Sequence, residues 1–205
     1  MTTRQLAVVT AGLSQPSASR LLADRLAAAA EQAFEHRGHE VGIEVVELRD
    51  HAHELTDNML TGFPAPRLRR VMDGVASADG LIAVTPIFTA SYSGLFKMFF
   101  DVLEPDSLTD KPVLVAATGG SERHSLALEH ALRPLFAYLR AVVVPTAVYA
   151  ASSDWGGGGT GGNGLSERIN RAADQLAHLV DVSSSAGPSD PFDDLAPFEQ
   201  LLSGD

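Results

Sequence analysis

Short apolar runs alternate with helix-period segments five times along this chain, and that order leaves few folds open. The runs are Leu6-Ala7-Val8-Val9, the group Ile43, Val45 and Val46, then Leu81-Ile82-Ala83-Val84, Val113-Leu114-Val115-Ala116, and residues 142–150. Each reads as a strand. The segments after them read as helices. Residues 19–35 place Leu22, Leu26, Ala29 and Ala33 on one face, with Ser19 as the N-cap and Gly38 as the stop. Further helices are expected over residues 68–78, from Ser93 to Leu103, over 124–140, and over 165–181. The last carries Leu165, Ile169, Ala173, Leu176 and Val180 on one face. Strand and helix in strict alternation imply a parallel sheet covered on both faces.

A chain of 205 residues supplies one well-buried core. The expected class is therefore α/β, a flavodoxin-like three-layer sandwich with a five-stranded parallel sheet in the order 2-1-3-4-5. Ligands of such sheets bind at the switch point, here between the first and third strands. Residues 1–182 form the expected domain, and 183–205 an acidic C-terminal tail. In that tail Phe192, Leu195, Phe198 and Leu201 recur every three residues, as in a short amphipathic turn. Residues 156–164 are glycine-rich, yet no Lys-Ser or Lys-Thr follows, so a P-loop is rejected. The net charge of −11 argues against nucleic acid or an anionic membrane as partner. Without cysteine there is no disulfide framework and no thiolate metal site. The start, Met1-Thr2-Thr3-Arg4, runs straight into a strand pattern, which points to a cytoplasmic protein.

Three strand-to-helix loops carry the unusual residues. The first is Thr10-Ala11-Gly12-Leu13-Ser14-Gln15-Pro16-Ser17-Ala18-Ser19-Arg20. It ends at a helix N-terminus, where backbone N–H groups and the helix dipole favour an anion. Ser14, Ser17 and Ser19 add hydroxyls and Arg20 a charge, as a phosphomonoester requires. The blander reading is a helix start with capping serines. The second loop, Thr85-Pro86-Ile87-Phe88-Thr89-Ala90-Ser91-Tyr92-Ser93-Gly94, combines proline, glycine, two aromatics and several hydroxyls. It suits a flat ring with polar edges, although Phe88 taken alone reads better as a core aromatic. The third, Thr118-Gly119-Gly120-Ser121, exposes backbone N–H groups or is simply a tight turn. In the helix after it, Pro134 denies the carbonyl of His130 its usual partner, which predicts a kink or a π-bulge.

The stretch from Ala78 to Leu103, with Ala117-Thr118-Gly119-Gly120 after it, resembles the NADPH-dependent FMN reductase family. The likeness is to the flavin reductases that serve alkanesulfonate and luciferase-type monooxygenases, and it runs from about Gln5 to about Ala150. The resemblance implies FMN and NADPH or NADH as cofactors. It implies that Gly12, Ser14, Ser17, Ser19 and Arg20 surround the phosphate. It implies that Pro86, Ile87, Phe88, Thr89, Tyr92, Ser93 and Gly94 wall the isoalloxazine, and that Thr118, Gly119 and Gly120 meet its pyrimidine end. The family's first loop usually runs Gly-Ser-x-Arg-x-x-Ser. Aligned on Ser17, this chain has Gly12 at the family's Ser and Ser14 at its Arg. The position of His130 is implied to hold an extra helical residue at a subunit interface.

The implied activity is hydride transfer from nicotinamide to flavin, with reduced FMN passing to a monooxygenase. Stacked rings need no acid–base dyad, so no catalytic side chain is nominated, and no metal site. The apolar helix after Gly94 points to a homodimer or homotetramer. The rivals are a quinone or azo reductase that retains its flavin and a non-enzymatic flavodoxin-type electron carrier. A phosphoacceptor receiver domain shares the topology, but Val8-Val9-Thr10 lacks its acidic cluster.

Overall fold

The structure is a computed structural model that describes residues 3–155 and 161–183. Residues 156–160 of the glycine-rich stretch, and the apolar spacing of the tail, lie outside the described residues. The sheet is built on β1 (Thr3–Thr10), which pairs in parallel with β2 (Glu40–Glu47) on one side and β3 (Gly80–Phe88) on the other. The next strand, β5 (Pro112–Gly119), pairs in parallel with β3. Two short strands, β6 (Val142–Val143) and β7 (Val148–Ala151), both pair with β5. This is the expected order 2-1-3-4-5, with the fifth strand in two pieces. Pro145 lies in the break, where a missing N–H cannot serve a ladder.

Successive side chains along the strands go to opposite faces. Ala7, Val9, Leu81, Ala83, Val113 and Val115 enter one buried cluster. Leu6, Val8, Ile82, Val84, Leu114 and Ala116 enter the other. The second cluster is closed by α1 (Ala18–His36) and α6 (Gly161–Ser183), through Leu22, Leu26, Phe34, Ile169, Leu176 and Val180. The first is closed by α3 (Pro66–Ser77), α4 (Gly94–Asp101) and α5 (Arg133–Tyr138). Three layers follow from strands that are apolar on both faces.

Several local expectations are corrected. The N-cap of α1 is Ser17, whose Oγ accepts from the N–H of Arg20 at 3.2 Å, and Ser19 lies inside the first turn. A helix not anticipated, α2 (Ala52–Thr61), buries only Leu55 and Asn58, so it shows no apolar stripe. It ends on Gly62, whose φ of 77° closes the helix in the left-handed region. The second loop is itself a hairpin, because β4 (Ser91–Tyr92) pairs antiparallel with Ile87 and Phe88. The helix expected over 124–140 is broken into a 3₁₀ turn at Glu122–His124, a π-helix at Leu128–Leu132 and α5. The π-helix lies just before Pro134, where the proline requires relief.

Candidate functional site

The three loops leave neighbouring strands at one edge of the sheet. Thr10 is in register with Val84, and Pro86 with Thr118. Their shared edge is the switch point, since the chain turns from β1 outward to β2 and later returns to β3 on the other side. A direct bond ties the outer two loops: Ser19 Oγ lies 2.8 Å from Thr118 Oγ1, with both side chains buried.

The first loop curls over the start of α1. Gly12 is buried against Ser17, and a Cβ at Gly12 would stand 2.0 Å from Ser17 Oγ. Only glycine lets the backbone pass so close to the capping hydroxyl. Leu13, Ser14, Gln15 and Pro16 are exposed above it. Thr10 Oγ1 is buried at the strand end and has no hydrogen-bond partner in the protein. A buried hydroxyl without a partner is costly, and a ligand oxygen is one way to satisfy it.

Two guanidinium groups flank this loop. Arg20 Nε bonds Asp24 Oδ1 at 2.8 Å and Nη1 bonds Glu47 Oε1 at 2.7 Å. Its hydrogen bond to Asp24, with the charges of Asp24 and Glu47, holds the group above its ordinary pKa despite partial burial. Arg20 is thus already engaged by two carboxylates. Arg49, which the sequence did not single out, binds the other oxygen of Glu47 at 2.8 Å through Nη2. Its Nη1 donates to the carbonyl of Ser14 at 3.1 Å. The Gln15 amide, turned with its oxygen toward Arg49, accepts from Nη2 at 2.6 Å. Arg49, which also lies 3.7 Å from Asp50 Oδ1 through Nε, therefore underpins the loop from just beyond β2.

In the second loop Pro86 is buried, Ile87 half-buried, and Phe88 is 47% exposed at the rim. Phe88 is therefore not a core aromatic. Thr89 and Ala90 form the two-residue hairpin connection with φ of 47° and 69°. Positive φ at both positions is the signature of a type I′ turn, which normally takes Asn-Gly. Thr85 Oγ1 accepts from the N–H of Ser93 at 3.0 Å, fixing the return of the hairpin. The Ser93 hydroxyl caps α4, accepting from the N–H of Phe96 at 3.2 Å. Tyr92 is half-buried, its ring 5.9 Å from that of Phe96. Gly94 and, in the third loop, Gly120 would each accept a Cβ with nothing within 4 Å, so both present open backbone.

The fifteen residues singled out from the sequence thus lie on three adjacent loops of one edge. Ser17 and Ser93 use their hydroxyl oxygens as acceptors at helix caps, which leaves Ser17 an O–H to donate, and Ser19 shares a hydrogen bond with Thr118. A phosphorylated flavin fits the remaining set: the unpartnered Thr10 hydroxyl, the Gly12 cradle and the start of α1 for the phosphate, and the open glycines and half-exposed Ile87 and Phe88 for a ring. The sequence places Thr10 at the start of the first loop but assigns neither it nor Arg49 a role, because both roles depend on contacts across strands. Arg49 lies twenty-nine positions beyond Arg20 in the sequence.

The model of the NADPH-dependent FMN reductase family matches residues 5–156. An FMN reductase (NADPH) of Pseudomonas aeruginosa is 36% identical over 175 residues, covering 85% of this chain and 91% of that protein. The NADH-dependent FMN reductase SfnE of Pseudomonas putida is 34% identical over 168 residues, covering 82% and 88%. An X-ray structure of an oxidoreductase from Corynebacterium diphtheriae superposes with a TM-score of 0.86 at 46% identity, covering 89% of this chain and 99% of that one.

Proposed function

The chain belongs to the NADPH-dependent FMN reductase family, and from that premise we propose that the three-loop edge is where it binds FMN for reduction by NADPH or NADH. The single observation that carries this reading is the convergence of the first and third loops through the Ser19–Thr118 bond, beside an unpartnered buried Thr10 hydroxyl.

Bound FMN supplies the hydride-accepting ring. The chain's own residues bind and orient it. Backbone N–H groups of residues 12–15, of Ser17 and of the start of α1 hold the phosphate, with Arg49 stiffening the loop from below. Pro86, Ile87, Phe88 and Tyr92 form one wall, and Gly94 and Gly120 allow close approach. No side chain in this set need move a proton, since hydride transfer between stacked rings rests on positioning.

The partner proposed for the product is a flavin-dependent monooxygenase. The protein is assigned to the cytoplasm, with residues 1–182 as the catalytic unit and 183–205 as an appended tail. Among the described residues no helix is long and apolar enough to cross a membrane.

The test is steady-state oxidation of NADPH and NADH under air, with and without added FMN. Turnover that depends on FMN is expected with at least one nicotinamide. Absence of turnover with both would overturn the reading. Turnover at a constant rate without added FMN, from protein that purifies yellow, would favour a flavin-retaining quinone or azo reductase.

A further inference from the structure

The third loop is pinned at both ends, and only one pin comes from the three loops and the helix that follows the first. Ser19 holds Thr118. The other end is held from β7, by a residue that no loop motif contains. Tyr149 is buried on β7 in register with Ala117, so its strand runs beside the last residues of β5. Its Oη reaches past Gly119 and donates to the carbonyl of Ser121 at 2.8 Å. A Cβ at Gly119 would stand 1.9 Å from that oxygen and 3.0 Å from the ring carbon bearing it. Gly119 is not among the residues with positive φ, so its backbone angle does not demand glycine. The tyrosine does. Gly120, one residue on, has free space above it.

Tyr149 is itself secured by α6. Arg168 Nη2 donates to the Tyr149 carbonyl at 3.3 Å and lies 3.5 Å from Asp154 Oδ1. The other oxygen of Asp154 accepts from the N–H of Ala151 at 2.8 Å. Burial, and the charge of Asp154 after it, raise the phenol above its ordinary pKa, so it remains a donor through the neutral and mildly alkaline range.

We propose that Tyr149 is a positioning residue for the flavin, its phenol holding residues 118–121 in the shape that receives the ring while Gly119 makes room for it. This rests on the reading that the third loop faces FMN. The ring end of the ligand, and not the phosphate, is then sensitive to Tyr149. Three flavins separate the two ends: FMN, riboflavin and lumiflavin, titrated by fluorescence quenching.

In Tyr149→Phe the affinities for all three should fall by a common factor of about three to ten, the scale of one lost neutral hydrogen bond. The KM for FMN should rise by a similar factor, and kcat at saturating flavin should fall by less. Gly119→Ala should weaken binding in the wild-type background and cost less in the Tyr149→Phe background, where the colliding oxygen is gone. A purely structural tyrosine would instead lower the melting temperature and kcat together, leave KM unchanged and show no such coupling, which would overturn the inference. Gly120→Val separates the two levels. If it weakens all three flavins and Tyr149→Phe does not, the inference fails alone. If Gly120→Val leaves all three affinities intact, the third loop does not face the flavin, and the inference falls with that reading.

Discussion

Gly12 illustrates how a single missing Cβ can couple a helix cap to a binding loop. A methyl there would collide with Ser17 Oγ, and the hydroxyl would have to leave the N–H of Arg20. Gly12→Ala should therefore lose about 0.5–2 kcal/mol of stability, the value of an N-cap. It should also lower FMN affinity by at least about tenfold, the scale of one hydrogen bond to a charged group, with a smaller effect on riboflavin. Chemical denaturation and the two flavin titrations check both halves; equal losses for FMN and riboflavin would detach the first loop from the phosphate. Tyr92 makes the opposite case. Its ring packs on Phe96, and hydride transfer asks nothing of its hydroxyl. Tyr92→Phe should keep most of the steady-state turnover, whereas a loss of about a hundredfold or more would reveal general acid catalysis. At this scale the sequence exposed glycines and serines through local pattern. It concealed the roles of Thr10, Arg49 and Tyr149, which exist only once β1, β2, β5 and β7 lie side by side.

The elements most legible in the sequence were those that bury a continuous face. The strands before each loop, and α1 and α6, were anticipated because Leu22, Leu26, Leu165, Ile169 and Leu176 repeat at helical spacing and are all buried. The π-helix was anticipated because Pro134 forbids a regular turn around His130. By contrast α2 hides its helical nature behind polar residues, and the β3–β4 hairpin lacks the usual turn signal, since Thr89 and Ala90 replace Asn-Gly. Left-handed backbone at an L-residue costs about 1–2 kcal/mol, which the double variant Thr89→Asn, Ala90→Gly should partly recover. A rise in the unfolding free energy of about 1 kcal/mol is expected from denaturant titration. A fall would mean that the native side chains make contacts outweighing the strain. The segment before Pro134 carries a pH signature as well. The hydrogen bond from Arg133 Nε to Glu129 Oε2 at 2.7 Å, aided by the charge of Arg133, lowers the Glu129 pKa below its ordinary 4.5. The stabilisation is present above the ordinary value and lost as pH falls through the lowered one. Melting temperatures taken between pH 6 and pH 3, about the carboxylate range, should therefore drop more for the wild type than for Glu129→Gln. Equal drops would mean that the pair contributes nothing.

At the scale of the whole molecule, the surface around α4 decides whether the chain works alone. The apolar character of α4 suggested a partner, yet Phe96, Phe99 and Phe100 are all buried within one chain. Phe100 packs edge-on against Phe136 of α5, with ring centroids 4.9 Å apart, and tilted against Phe96 at 4.8 Å. Substituting Phe100 would damage the core and say nothing about assembly. The apolar surface left over lies on either flank. Leu60 and Phe63, each 81% exposed, stand at the end of α2, near a groove lined by Met59, Pro64 and Val102. Tyr138, 85% exposed, stands on α5, and Leu95 and Met98 are half-buried on α4. Exposed side chains of this size on neighbouring elements are the kind that mark an interaction surface. The proposed occupant is a second copy of the chain, meeting this one through the α2–α4–α5 face that also carries the His130 segment. Each copy has a formal charge of −11, so salt should screen the mutual repulsion and leave the apolar contact intact. Sedimentation equilibrium should accordingly show a dimer or tetramer at micromolar concentration that salt does not dissociate. Phe63→Asp combined with Tyr138→Asp should yield monomers whose melting temperature in dilute solution stays near that of dissociated wild type, because neither side chain is part of the core. A wild-type protein that sediments as a monomer while fully active would remove the second copy from the account, and dissociation by salt would place the contact among the charges instead.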